Sequence, residues 1–452
     1  MDNLGQLAYE NNDLLYMYKG QVAVPPMCMV DDILSIQKCS DAIKINAVIN
    51  AFIEMKKLTL SDKKCNRIHV GKPQEACQDL KVHDSKMNNS DQEKYLGDLV
   101  NKTGKIKATI DERVAKGYGI VSEIKAILHE IPLGRYKLEM GMQLRQAMLV
   151  NGMLFNSEAW HDVTAADIKA IEKVDETLLR FLLGSHSKAP LEMLYLESGA
   201  MPIRFILSSR RMNYLQTLLK REDEELTKRV LKAQMDNAHD GDFIKLVEQD
   251  FHDLGVTLDF PFVENSSYDF FKSFIRKKTQ KAALEYLKNM QQGHSKVKDI
   301  EFDDLKAQPY LTSTLFDDEE TQLLYSLRTR TSDLFKANFR NQYGGKVDCP
   351  LSCWGDAETR NEDTQQHILS CAKLSFDSQD VAKEKVKYEH LFGTIAQQKE
   401  VIVLYKRLLE AKNKILHPNP PGEKLDLSID RCQCYSDAFF TTYCIECIAI
   451  GK

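Results

Sequence analysis

Apolar residues recur along this chain at two spacings, and the spacing changes early. Residues 22–36 read Val22-Ala-Val-Pro-Pro-Met-Cys-Met-Val-Asp31-Asp32-Ile-Leu-Ser-Ile36, two short apolar runs separated by an acidic pair. Such a pattern predicts a strand, a tight turn and a second strand. After Ser40-Asp41 the period lengthens: Ile45, Val48, Ile49, Phe52 and Met55 mark one face of an amphipathic helix. A lysine-bearing turn, 57–65, leads to Arg67-Ile-His-Val-Gly71, which predicts a second small hairpin, and the polar stretch 78–94 reads as a loop. Helical periodicity then dominates. It runs through 106–128, stops at Pro132-Leu-Gly134, and resumes over 144–155. Thr164 with Asp167 three residues on opens a further helix that Gly184 ends, and Pro202 opens another over 203–220. Its apolar stripe is Ile206, Leu207, Tyr214 and Leu218, with Arg204 and Arg211 elsewhere on the wheel. The fold class expected is α+β, mostly α, with a small hairpin region followed by helices.

Two adjacent carboxylates on a hairpin tip suit a hard divalent cation such as Mg²⁺, although Asp pairs also occupy ordinary solvated turns. The order of acidic hairpin, helix, lysine turn and small hairpin resembles the palm of a reverse transcriptase, from its catalytic Asp-Asp motif to the primer grip. Tyr95-Leu96-Gly97-Asp98, Asn156-Ser157-Glu158-Ala159-Trp160 and Leu179-Arg180-Phe181-Leu182-Leu183-Gly184 resemble blocks of the reverse transcriptases of non-LTR (LINE-like) retrotransposons. The resemblance implies Asp31 and Asp32 as Mg²⁺ ligands and Lys64 as a general acid toward the leaving pyrophosphate. It also implies a helical thumb that holds RNA template and DNA primer. Family members carry fingers and a further catalytic Asp, in motif A, ahead of the Asp-Asp hairpin, and both are missing before Asp31. The expectation is therefore the C-terminal part of an RNA-directed DNA polymerase, inactive as this chain alone. The alternative is a nucleic-acid-binding protein without chemistry, derived from a decayed element. The expected divisions are a partial palm over 1–85, a thumb over 86–240, a basic helical region over 241–345, a zinc knuckle over 346–375 and a variable helical tail over 376–452.

Net charge adds a constraint. At −5 the chain is no polycation, whereas phosphate binding draws on Lys and Arg. The positive charge is local: Arg276, Lys277, Lys278 and Lys281 interleave with Phe271 and Phe274, while Glu222–Glu225 and Asp317–Glu320 offset it. Arg211 and this basic run are the expected contacts to nucleic acid, against the plainer reading of a solvated helix face.

Cysteine spacing supplies the second candidate site. Cys349, Cys353, His367 and Cys371 follow C-x3-C-x13-H-x3-C. Three thiolates and an imidazole suit tetrahedral Zn²⁺, and four protein ligands leave no open position, so the site is structural. The polar stretch 355–363 is what a metal-ordered loop requires, and 365–371 reads as a helical turn presenting the last two ligands. The set resembles the C-terminal CCHC knuckle of the same elements, with a longer middle spacer. Phe335 and Phe339 are expected to pack beside it. Cys432, Cys434, Cys444 and Cys447 lie beyond the Pro-rich 417–422 and are read as a variable tail. With 43% apolar residues, eleven cysteines and no signal peptide at Met1-Asp2-Asn3, the chain is expected to be intracellular, cytoplasmic and nuclear, with reduced thiols and no membrane partner.

Overall fold

The computed structural model describes Leu4 and residues 15–29, 32–59, 61, 64–70, 81–82, 85–332, 334–335, 347–351, 362–371, 374 and 387–416. The protein is α+β and mostly α, with only two-stranded sheets. Strands β1 (Tyr16–Tyr18) and β2 (Val22–Val24) pair antiparallel, as do β3 (Met27–Met29) and β4 (Asp32–Leu34). The first apolar run is thus two strands: Pro25-Pro26 lacks the N–H groups to continue a ladder. Helix α1 (Ala42–Lys56) buries Ile45, Ile49, Phe52 and Ile53 against Leu15, Ala23, Cys28, Ile33 and Met87.

Among the described residues the second hairpin expected at Arg67–Gly71 is not present. Instead β5 (Asn66–Ile68) pairs in parallel with β8 (Asn88–Ser90). Nor is 78–94 bare loop, since β6 (Lys81–Val82), β7 (Ser85–Lys86), β8 and β9 (Gln92–Tyr95) lie within it. Backbone ladders form there without an apolar alternation to announce them. Strand β10 (Asp98–Asn101) closes a hairpin with β9.

The helical body follows the predicted periodicity closely. Helix α2 (Lys107–Ile127) and α4 (Ala165–Leu183) pack together; Thr164 and Asp167 form a reciprocal capping box, and Gly184 ends α4 at φ 58°. Helix α3 (Arg135–Leu144) starts nine residues before the expected Leu144, immediately after Gly134, and runs on through a π-helical stretch, Arg145–Val150, and the turn Asn151–Met153. Arg145 makes a bidentate pair with buried Asp175 (2.6 and 2.7 Å), and the Tyr195 hydroxyl donates to the same carboxylate. Helices α5 (Leu191–Ser198), α6 (Ile203–Leu219), α7 (Leu226–Asp236), α8 (Phe243–Asp253), α9 (Phe260–Asn265) and α10 (Tyr268–Gln292) follow, then α11 (Pro309–Thr312), α12 (Asp318–Arg328), α13 (Gln365–Ser370) and α14 (Ile395–Leu416).

One core runs from Ile106 to Leu409 and includes Cys349 and Cys371, while α6 through α10 enclose a second. Arg328 crosses the main core, donating to Glu197 at 2.9 Å and to the Leu391 carbonyl at 2.7 Å. The N-terminal hairpin is fastened to the body by Lys19, whose ammonium pairs with Asp242 (2.7 Å) and donates to the Asn237 carbonyl.

Candidate functional site

Cys349, His367 and Cys371 come together. Their ligating atoms lie within 4.8 Å of one another, and among the described residues this is the one group of three or more His, Cys, Asp or Glu with that geometry. A short bridge between Asp348 and Glu362 brings the two halves of the motif side by side. Thr364 caps α13 by accepting from the His367 N–H at 2.9 Å, and the helical turn then sets His367 and Cys371 on one face. The turn is anchored twice more. Gln365 Nε2 donates to the Leu327 carbonyl and to the Tyr388 hydroxyl, and the Tyr405 hydroxyl donates to the Gln365 carbonyl at 2.6 Å.

The surroundings are dry. Cys349 and Cys371 are 5% and 1% exposed, beside buried Leu351, Ile368 and Leu374. Burial pushes the His367 imidazole below its usual pKa, with Asp363 opposing and Lys412 assisting. A neutral imidazole is the form that ligates a metal. Lys412 pairs with Asp363 at 2.7 Å and sits over the Phe335 ring. Phe335 is fully buried, edge-on to Tyr405. Two thiols and one imidazole are donors for a borderline-soft ion, and bonds of about 2.3 Å in a tetrahedron put ligand sulfurs about 3.7 Å apart. Ligand atoms within 4.8 Å of one another are compatible with such an ion. Cys353 and Phe339 lie outside the described residues, as do Cys432, Cys434, Cys444 and Cys447.

Asp32 is the exposed first residue of β4, opposite Met29 across the hairpin, and Asp31 lies outside the described residues. Burial, together with the nearby charge of Asp32 and then Cys28, raises the Tyr95 hydroxyl above its usual pKa. Lys64 is exposed in a single helical turn, its N–H donating to the Ser61 carbonyl. Among the described residues no two further ligands gather around Asp32, so the geometry lends no support to Mg²⁺ there.

Residues of two of the sequence blocks meet. Leu96 and Gly97, both with positive φ, form the two-residue turn between Tyr95 and Asp98. Asn156 Nδ2 donates to the Leu96 carbonyl (3.1 Å) and to Asp98 (3.2 Å), and Arg113 donates to the Gly97 carbonyl. A Cβ on Gly97 would stand 3.0 Å from the Phe155 ring, so the approach requires glycine.

The basic residues divide. Arg211 is 6% exposed and pairs bidentately with Asp250 at 2.7 Å, which corrects its expected role: its charge is neutralised inside α6–α8 and does not reach solvent. The expected apolar stripe overlooked that Arg211 shares the buried face with Leu207, Met212, Leu215 and Leu218. Arg276, Lys277 and Lys281 are exposed on α10, and Lys278 lies half-buried over Phe274. Arg276 also lines a groove of about 850 Å³ between α6 and α10, together with Arg210 and Lys272, two residues the sequence reading did not single out. The 272/276 spacing on one helix face was the available signal. Comparison of the chain with protein-family models, curated proteins and solved structures finds no match.

Proposed function

We propose that this chain is the C-terminal part of a reverse transcriptase of the non-LTR retrotransposon type, holding template–primer nucleic acid and carrying a structural Zn²⁺ at Cys349, His367 and Cys371, with Cys353 as fourth ligand by sequence spacing. The observation that carries the reading is the junction of the Tyr95–Asp98 and Asn156–Trp160 blocks. Segments about sixty residues apart are hydrogen-bonded through Asn156, with Asp32 close enough to influence Tyr95. The exposed Arg276 supplies a phosphate contact, and Lys277 and Lys281 beside it add only diffuse attraction.

A second reading is nucleic-acid binding without polymerisation. Two-metal phosphoryl transfer needs carboxylates that hold both ions, and among the described residues no cluster forms around Asp32. Template–primer binding and primer extension test both. Affinity for a duplex should fall at least about tenfold between roughly 50 and 200 mM salt, with no extension in Mg²⁺. Salt-independent binding overturns the electrostatic account, and absence of binding overturns both readings. Extension abolished by Asp32→Ala overturns the second reading.

A further inference from the structure

The groove between α6 and α10 is not accounted for by a general basic surface. Its Arg210 is unlike the arginines buried in the helical body. Arg145, Arg204, Arg211 and Arg328 each meet a carboxylate. Arg210 does not. It is half-buried, and its guanidinium is held by neutral acceptors, the Leu154 carbonyl and Asn151 Oδ1. Burial lowers its pKa, with Glu158 opposing. Lys272 and Arg276 stand one turn apart on the facing helix, and among the described residues neither has an ion-pair partner. Three cations thus line one groove, one of them fixed in direction before any ligand arrives.

Two tyrosines share that lining. Tyr268 is 54% exposed, with the Lys220 ammonium 5.3 Å from its ring centroid. Tyr214 is half-buried, and the edge contact with Phe243 fixes its ring. The carboxylates Glu158 and Asp269 lie there too. Phosphate answers the cations, a heterocyclic ring answers the tyrosines, and exocyclic amino groups can donate to the carboxylates. The volume limits the occupant. About 850 Å³ is the size of a site for a drug-sized ligand, close to the bulk of one or two nucleotides.

We infer that this groove binds single-stranded nucleic acid, with Arg210, Lys272 and Arg276 on its phosphates and Tyr268 stacking a base. This rests on the nucleic-acid reading above and narrows it: the groove takes one strand, and the cations outside it, Lys277 and Lys281, contribute only diffuse attraction.

The test is equilibrium binding of a short labelled oligodeoxycytidine to the full chain, with a blunt duplex and cytidine monophosphate as competitors. Lys272→Glu/Arg276→Glu should weaken strand binding at least about tenfold, a loss of about 1.4 kcal/mol. Lys277→Glu/Lys281→Glu makes the same charge change off the groove and should weaken it less than about threefold. Tyr268→Ala should weaken it at least about fivefold, in line with loss of one stacked base. All five positions are surface or groove-lining, and circular dichroism checks that each variant folds. Equal losses in the two charge-reversal pairs overturn the groove assignment, as does a duplex competing as well as the strand. Displacement by the mononucleotide at concentrations comparable to the strand makes this a free-nucleotide pocket and overturns the strand assignment. Duplex binding that survives while strand binding fails sinks only this inference. Absence of any nucleic-acid binding sinks the wider reading.

Discussion

Glu192 shows how one side chain can oppose the fold around it. It is fully buried, neither carboxylate oxygen has a hydrogen-bond partner among the described residues, and His294 Nε2 lies 3.6 Å away. Burial raises its pKa. The folded state therefore favours the protonated acid, and stability present below the ordinary carboxylate range falls as pH rises through it. Glu192→Met should raise unfolding stability at neutral pH by about 1–3 kcal/mol, and the gain should shrink toward pH 4. Denaturant titrations at the two pH values decide it; equal gains would assign the effect to packing. Arg211 presents the reverse case. Removing one partner of a buried ion pair leaves the other charge stranded, so Arg211→Ala should cost about 3–5 kcal/mol, read by urea unfolding. Neither position was legible as buried in the sequence. Glu192 sits in a stretch with no polar alternation, and Arg211 takes a place that the apolar stripe assigned to solvent.

At the scale of elements, the metal-binding turn depends on more than its ligands. Helix α13 has six residues, too few to stand alone in water. Gln365, Tyr388 and Tyr405 hold one side of it, and the segment carrying Cys349 holds the other through the Asp348–Glu362 bridge and the cluster. Purified protein should contain one zinc, lost in Cys371→Ser and retained in Cys444→Ser. Acidification should release it, because thiolates and a neutral imidazole must form to bind metal. Two zincs would make the tail cysteines a second site, and none would leave the cluster a set of buried thiols. The ligand triad was readable because metal chemistry prescribes spacing. Helices α1, α2, α4 and α6 were readable because burial enforces a period and because Thr164, Gly184 and Pro202 mark ends. The strands at 81–95 were not, since a backbone ladder between polar segments leaves no trace in side-chain order. The groove escaped for a different reason: it is made by two helices meeting, and Arg210 is distinguished from Arg211 only by what each faces.

For the whole molecule, the main core joins α2 to α14 across some three hundred residues, so the turn carrying His367 and Cys371 and the helices after Ile106 answer to one another. The acidic hairpin has a small core of its own under α1. The neighbouring β1–β2 hairpin is tied to the body by Lys19 on Asp242 and Asn237 and by Gln234 on the Tyr18 hydroxyl, with β2 packed on α7. That tie closes a loop of more than two hundred residues. Closing such a loop from an open chain costs on the order of 5 kcal/mol in chain entropy, more than an ion pair and two hydrogen bonds return. Docking must wait until the helices have shortened the path. The β1–β2 hairpin is thus the last large piece to arrive and the first to leave. In hydrogen exchange the amides of Tyr16–Val24 should open at a lower free energy than those of α4, and Lys19→Ala should lower it further while leaving α4 unchanged. The hairpin that carries Asp32 is covalently continuous with this latch, so whatever frees Lys19 from Asp242 also loosens the ground on which Asp32 stands.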